Sequence, residues 1–398
     1  MPERRVHLDH AATTPVDPSV LTAMLPFLAG NFGNPASLYE EGQIARSAVD
    51  VARRNVAGLL GADPSEIVFT SGGSESDNHA LRGVASAAAD GGVHMITTAI
   101  EHHAVLSTAR HLRSQGADVS ILPVDGHGLV DPDDVRRAIT PRTALVSVMH
   151  ANNEVGSIQP IAEIGRITRE AGVLFHTDAV QTFGHAATPV DQLGVDLLSL
   201  SGHKLYGPKG IGALYVRRGT LVARLLHGGG QEDGRRAGTL NVPGIIGLGE
   251  AAALAERSLV SDAARCVLLR DRVIDGVLGT IEDARLTGHA EQRLPGNASF
   301  CLADVEGEAL LLLLDRRGFT VSSGSACSSG SGEASHVLSA IGVPAHLAHG
   351  ALRVTVGRAT TFEDVDRFLE ALRDSVRVLR RISPRTGARG VGFAPAMP

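Results

Sequence analysis

Only two lysines stand among the 37 Lys and Arg residues of this chain, Lys204 and Lys209, both inside SGHKLYGPKG. The remaining 35 are arginine. A guanidinium serves surface and ion-pair roles but keeps its proton, so an amine that must deprotonate and attack a carbonyl has to be lysine. Two lysines left in one loop by chance is the bland alternative; the chemical reading is a Schiff-base lysine. VLFHTDAVQ (173–181) ends a buried strand pattern with Asp178 and Gln181. A carboxylate buried there needs a cation or donors, unless it is exposed or caps a helix. A pyridinium nitrogen, as in pyridoxal phosphate, is such a cation. Asp178 at one strand end and Lys204 just past the next would bracket a ring in one crevice.

Other segments add donors. EIVFTSGGSESDN (66–78) reads as strand, glycine loop and helix start, with Gly72 and Gly73 opening the backbone to an anion and Ser71, Ser74 and Ser76 offering hydroxyls. A glycine turn with serine caps would look the same, and no Gly-Lys-Ser/Thr follows to make a P-loop. IEHHAVLS (100–107) and MHANNEVG (149–156) supply His102, His103, Asn152 and Asn153, and HGGGQEDGRRAGT (227–239) supplies Arg235, Arg236 and Thr239. With 17 histidines most must be structural; His346 and His349 lack the companions of a zinc site. Cys327 sits in SSGSACSSGSG (322–332), a run of small residues too polar for a core and expected to be mobile. A cysteine displayed there reads as a nucleophile, although at an ordinary pKa only ~3% is thiolate at pH 7, so it needs local activation. Cys266 and Cys301 lie in apolar patterns and read as packing residues.

The positioning elements follow from the apolar pattern. Strands are predicted at 66–70, 94–98, 118–124, 143–150, 173–180, 196–201 and 212–218, with amphipathic helices at 76–89 and 162–172 between them. That alternation predicts an α/β unit with a mostly parallel sheet covered by helices, ligands collecting at the strand ends. A buried helix at 244–259 closes it. An α+β texture follows, with strands at 284–288, 297–304, 319–323 and 352–358, a helix at 306–318, and a last helix at 361–381 opened by a Thr360/Glu363 capping box. A net charge of −6, no Trp and 3% aromatic residues give no footprint for nucleic acid or an anionic membrane. Three unpaired-looking cysteines and an N-terminus without an apolar run point to a reducing, cytoplasmic setting.

Taken together, HLDHAATTPVDP, GNPAS, FTSGGSESDN, IEHHAVL, SVMHANNEVG, HTDAVQ, SGHKLYGPKG, GGGQEDGRRAGT and SSGSACSS resemble, in order and spacing, the cysteine desulfurases of the class V aminotransferase group. The extended cysteine loop resembles the group I branch, which serves iron–sulfur clusters and tRNA thiolation. The resemblance spans about residues 6 to 382. It implies the type I fold of pyridoxal-phosphate transferases, with a large cofactor-binding α/β domain at 15–257 and a small α+β domain from 1–14 and 258–382 carrying the cysteine loop; the Gly/Pro/Arg-rich composition of 383–398 predicts a flexible tail. It makes Lys204 the Schiff-base lysine, places His102 on the ring as a proton-transfer group, and pairs Asp178 with the ring nitrogen. It gives Gln181 and Asn153 to the ring hydroxyl side. Gly73, Ser74, Ser201 and His203 would hold the phosphate, joined by Thr239 from the partner of a homodimer. Asn34 and Arg353 would bind the substrate carboxylate. Cys327 would take sulfur from L-cysteine as a persulfide, leaving L-alanine, and pass it to acceptor or scaffold proteins; no resident metal is implied, only a transient iron–sulfur contact at Cys327. Three departures stand out: Ser74 replaces the usual threonine, Ala237 the serine of R-S-G-T, and LRVTVGR the commoner I-R-F-S-L-G-R. The competing readings are a related selenocysteine lyase or aminotransferase, and a non-catalytic sulfur carrier.

Overall fold

The computed structural model describes residues 5–88, 92–324 and 335–382. Cys327 and the tail at 383–398 therefore lie outside the described residues. The chain opens with β1 (Val6–His7), α1 (Pro18–Leu28) and α2 (Glu40–Leu60). It then alternates through β2 (Ile67–Thr70), α3 (Gly73–Ala87), β3 (His94–Thr98), α4 (His103–Ser114), β4 (Asp118–Leu122), α5 (Pro132–Ala138), β5 (Thr143–Ser147), α6 (Ile161–Ala171), β6 (Leu174–Asp178), α7 (Val190–Leu193), β7 (Leu197–Ser201) and β8 (Gly212–Val216). These seven strands, β2 to β8, form one sheet in the order β2-β8-β7-β6-β5-β3-β4. Only β8 runs antiparallel to its neighbours, so β2 points the same way as the parallel strands.

The sheet is covered on both faces because successive strand residues point to opposite sides. Ile67, Phe69, Ile96, Val146, Phe175, Leu198 and Leu200 share a core with Val49 and Val56 of α2 and Ile164 of α6. The alternate residues Val68, Met95, Leu145, Leu197 and Leu214 pack with Leu81 and Val84 of α3 and Val105 and Leu112 of α4. Each such fully buried side chain contributes about 1.5–3 kcal/mol of transfer free energy. Near-continuous apolar strands are what two covered faces require.

Beyond β8 comes α8 (Val242–Thr280), capped by the Asn241 side chain accepting from Gly244 N. The sequence pattern predicts its end near 259, but the helix runs on to Thr280. Its first half buries Ile245, Leu248 and Ala255 in the core above. Its last turns bury Leu269, Val273 and Val277 against a second core. The apolar stripe changes partner midway, which looks in sequence like an ending. The second core gathers β1, β9 (Ala284–Leu286), β10 (Asn297–Leu302), α9 (Gly307–Arg316), β11 (Phe319–Thr320), β12 (Ala351–Thr355) and α12 (Phe362–Ile382), with Val6, Phe300, Leu352, Phe368 and Leu372 at its centre. The short α10 (His336–Ala340) and α11 (Ala345–Ala348) precede β12. β12, β10 and β9 form an antiparallel sheet, while β1 pairs in parallel with β11. The capping box of α12 is shifted by one residue from the predicted pair: Thr361 N donates to the Asp364 carboxylate and Asp364 N to Thr361 Oγ1. Thr360 instead accepts from Gly357 N. Among the described residues no helix is long and apolar enough to cross a membrane.

Candidate active site

The strands β2, β3, β5, β6 and β7 all end on one side of the sheet, and their exits surround a cavity of about 350 Å³. Gly73, Ser74, His102, Asn153, Asp178, Gln181, Ser201, His203, Lys204 and Arg353 all face it. That is the crevice where open α/β sheets bind ligands. Asn34 and Thr239 do not line it. Both are exposed, and Asn34 Oδ1 accepts from Ala36 N in its own loop. Cys327 lies outside the described residues, so its distance to the cavity is not part of this geometry.

Lys204 ends a single 3₁₀ turn that follows β7. Its Nζ donates to the carbonyls of Ala11 and Ala12 at 2.6 and 2.7 Å, so the N-terminal segment closes over the amine. The turn is held under strain: Tyr206 has φ of 66°, unusual for a bulky residue. Thr14 Oγ1 accepts from Tyr206 N, and the Tyr206 hydroxyl accepts from Arg358 N. Strain of this kind persists only where surrounding contacts fix it.

Asp178 closes β6, 6% exposed, and accepts from Val180 N at 2.9 Å. Burial pushes its carboxyl above the ordinary range, while His102 and Lys204 pull it back. Beneath it, Asp77 of α3 is 1% exposed and raised further, by burial and by Asp178. Asp77 Oδ1 has no hydrogen-bond partner and lies 3.7 Å from His176 Nε2. His176 is itself locked between Ser147 and Ser199, and burial lowers its pKa to about 3. Glu101, fully buried, is pushed up to about 8 by desolvation, although Thr98 Oγ1 and Met149 N donate to it. The crevice therefore holds more buried carboxyl groups than local cations.

His102 caps α4: its Nδ1 accepts from Ala104 N at 3.1 Å, which leaves the ring proton on Nε2 in the neutral form. Gln181 Nε2 donates to Ala11 O. His203 Nδ1 meets Thr13 Oγ1 at 3.1 Å, and burial with the two lysines lowers its pKa to about 4. At β2, Gly72 adopts φ of 154° and Gly73 comes so close to Val180 that a Cβ would stand 2.6 Å from its Cγ2. Only glycine lets the α3 N-terminus approach this closely. Ser76 turns inward to Thr70 and Gly72 rather than to the cavity, and Asn152 is spent on the turn, accepting from Glu154 N and Val155 N. Arg235 and Arg236 are likewise engaged elsewhere, with Ser65 O and Glu75. Arg353, 2% exposed, pairs with Asp9 at 2.8 Å and donates to Asn153 O and Gly324 O, while its Nε is buried without a partner.

These residues fit pyridoxal phosphate. A desolvated, carboxyl-rich crevice offers Asp178 to a pyridinium nitrogen, the glycine-opened helix end with Ser74 and Ser201 suits a phosphate, and a primary amine lines the same cavity. Sequence reasoning missed Asp77, Glu101 and Glu154. Asp77 was findable, four residues after Gly73 and so on the same helix face; Glu101 and Glu154 gain their meaning only from burial.

The class-V aminotransferase family model matches residues 6–368. The chain is 52% identical over 383 residues to a cysteine desulfurase IscS of Methanosarcina thermophila, covering 96% of this chain and 95% of that one. A cysteine desulfurase IscS of Dictyoglomus turgidum is likewise 52% identical over 382 residues, covering 96% and 97%. Among solved structures, a NifS-like protein superposes with a TM-score of 0.89 at 39% identity, covering 94% of this chain and 100% of that one. SspA in complex with cysteine gives 0.79 at 37%, covering 89% and 99%. By family model, sequence and fold alike, this chain belongs to the class-V aminotransferase family and, within it, to the pyridoxal-phosphate-dependent cysteine desulfurases.

Proposed function

We propose that the cavity desulfurates L-cysteine, releasing L-alanine and leaving the sulfur on Cys327 as a persulfide for acceptor proteins of iron–sulfur cluster assembly or of tRNA or cofactor thiolation. The observation that carries this reading is the pairing of Lys204 and Asp178, delivered by neighbouring strands into one desolvated cavity with His102 beside them. Lys204, Asp178, Gln181 and Asn153 would hold pyridoxal phosphate by its ring, and Gly73, Ser74, Ser201 and His203 by its phosphate. When bound, the cofactor supplies an electron sink that acidifies the substrate's α-proton. Lys204 Nζ is the primary amine that can take up and return that proton, and His102 exchanges protons at Nε2. Arg353, in the cavity wall, would bind the substrate carboxylate. The Cys327 thiolate attacks the substrate sulfur: the S–S bond forms, the Cβ–S bond breaks, and its electron pair ends as a C–H bond of the alanine methyl. One cysteine and one enzyme thiol thus give one alanine and one enzyme persulfide.

The wider assignments rest on placement. Leu21, Leu25, Leu28, Phe32, Leu38 and Tyr39 are all exposed, and the first three lie along one face of α1. An apolar surface of that extent suits a second copy of the chain, and Thr239 and Asn34, outside their own cavity, would then serve across the interface. The two cores support a division into units 15–257 and 1–14 with 258–382, joined through α8. Free Cys266 and Cys301 agree with a reducing, cytoplasmic compartment. Product analysis after incubation with labelled L-cysteine tests the reading: alanine with protein-bound sulfur supports it, whereas a keto acid with amino transfer would establish an aminotransferase instead. A panel of candidate acceptor proteins then identifies where the label goes.

A further inference from the structure

The turn that leaves β6 delivers Asp178 and Gln181 to the cavity, but its last polar residue goes elsewhere. His185 is half-buried, and its Nε2 stands 2.7 Å from the carbonyl oxygen of Lys204. A carbonyl only accepts, so Nε2 carries the proton and donates it. Gly184, at φ of 78°, permits the approach: a Cβ there would stand 3.2 Å from the Cβ atoms of Leu205 and Ala255. The His185 ring packs against that of Tyr206, centroids 6.5 Å apart and the planes at 61°. Burial lowers the proton affinity of His185 and Arg358 lowers it further, against Lys204 O and Asp262, so the ring is neutral. His185 is not in the wall of the cavity that Lys204 lines. It lines a smaller one of about 60 Å³, and Ala11 and Gln181 border both. Any effect of His185 on the chemistry therefore passes through Lys204.

We propose that His185 is a positioning residue for Lys204, and that the turn from Asp178 to His185 sets the spacing between the acid and the amine. The proposal rests on the reading of Lys204 as the lysine that binds the cofactor. Lys204 stands on a three-residue 3₁₀ turn, and the amides that follow it are committed to other acceptors. Leu205 N and Gly207 N both donate to Gly202 O, and Tyr206 N donates to Thr14 Oγ1. His185 supplies a donor to the Lys204 carbonyl from outside that turn. The same connection also reaches the other end of the lysine: Gln181 Nε2 donates to Ala11 O, the carbonyl that accepts from Lys204 Nζ. Asp178, at the start of the connection, is fixed by Val180 N. One short segment thus holds the carboxylate, the backbone of the lysine and a carbonyl facing its amine. A displacement of about 1 Å in a reacting group can cost about 10²-fold in rate.

The test uses the full chain stripped of cofactor, as parent, His185→Ala, His185→Leu and His185→Gln. Pyridoxal phosphate is added, samples are reduced with borohydride at intervals, and the cofactor fixed on the Lys204 peptide is measured by mass. Leucine restores bulk without a donor, whereas the glutamine amide can donate where Nε2 does. The alanine and leucine variants fix cofactor on Lys204 about 10- to 100-fold more slowly than the parent. In the reloaded enzymes kcat falls by a similar factor, with KM for L-cysteine nearly unchanged. His185→Gln recovers most of both rates. A parent-like rate in His185→Ala or His185→Leu overturns the proposal, and so does His185→Gln as slow as alanine, since the hydrogen bond is then not what matters. Lys204→Arg run in parallel separates the two ideas. If it still fixes cofactor on another residue at the parent rate, the reading of Lys204 fails. If it fixes none while the His185 variants behave as the parent, only the positioning role fails.

Discussion

Lys204 is where residue chemistry is least replaceable. Its amine lies within hydrogen-bond reach of two backbone carbonyls over a cavity whose other walls supply carboxyl groups and imidazoles. Arginine would keep the charge and even the contacts, yet it cannot give up its proton or form a carbon–nitrogen double bond to the cofactor at neutral pH. Lys204→Arg is therefore expected to lower turnover by more than about 10³-fold, as loss of a covalent nucleophile does. Lys209→Arg, an exposed change, should leave it within about twofold. Steady-state alanine release with both variants checks this. At this scale the sequence was informative because chemistry restricts residue type: one lysine pair among arginines, an acid ending an apolar strand, a cysteine among small residues. It hinted at Asp77 through its spacing from Gly73 but was silent on how deeply Asp77 and Glu101 are buried. Nothing in ESDN or IEHH tells that these carboxyls are 1% and 0% exposed.

Elements were legible where a single periodicity ran through them. The strand predictions placed β2 to β8 within a few residues because two covered faces demand unbroken apolar runs. The failures came where an element serves two masters: α8 changes core midway, and the start of α12 offers two overlapping capping pairs of which Thr361 and Asp364 win. The elbow between β3 and α4 carries a prediction of its own. Glu101, tied there to Met149 N of the next strand exit, has its pKa pushed up to about 8 by burial. The folded state then binds a proton that the unfolded chain has already lost. Stability from this group is full below the ordinary carboxylate range of roughly 4–4.5 and declines as pH rises to about 8. His176, lowered to about 3, acts oppositely, its contribution fading as pH falls from about 6.5 toward that value. Glu101→Gln keeps an oxygen for Thr98 and Met149 but has no proton to lose. Its melting temperature relative to the parent should rise steadily from pH 5 to pH 8; a constant difference across that range would remove Glu101 from the account.

At the scale of the molecule, the chain supplies most of a cavity and leaves Thr239 exposed away from it. If that residue serves the partner's phosphate, Thr239→Asp repels the phosphate and weakens cofactor binding in trans. A mixed dimer of Lys204→Ala and Thr239→Asp chains then has one site with both an intact lysine and an intact threonine, and should recover about half of the parent activity. Activity no higher than that of either parent variant would place Thr239 in cis. The proposed reaction is the transfer of sulfur to Cys327 from a substrate in the cavity lined by Asp178 and Lys204. The most direct measurement is a single turnover of cofactor-loaded protein with limiting L-cysteine, quantifying alanine and mapping the added sulfur by peptide mass. The account predicts one alanine per sulfur atom added, all of that sulfur on the peptide containing Cys327, and none on any peptide of Cys327→Ser. Sulfur found on Cys266 or Cys301, or alanine formed at the parent rate by Cys327→Ser, would contradict it.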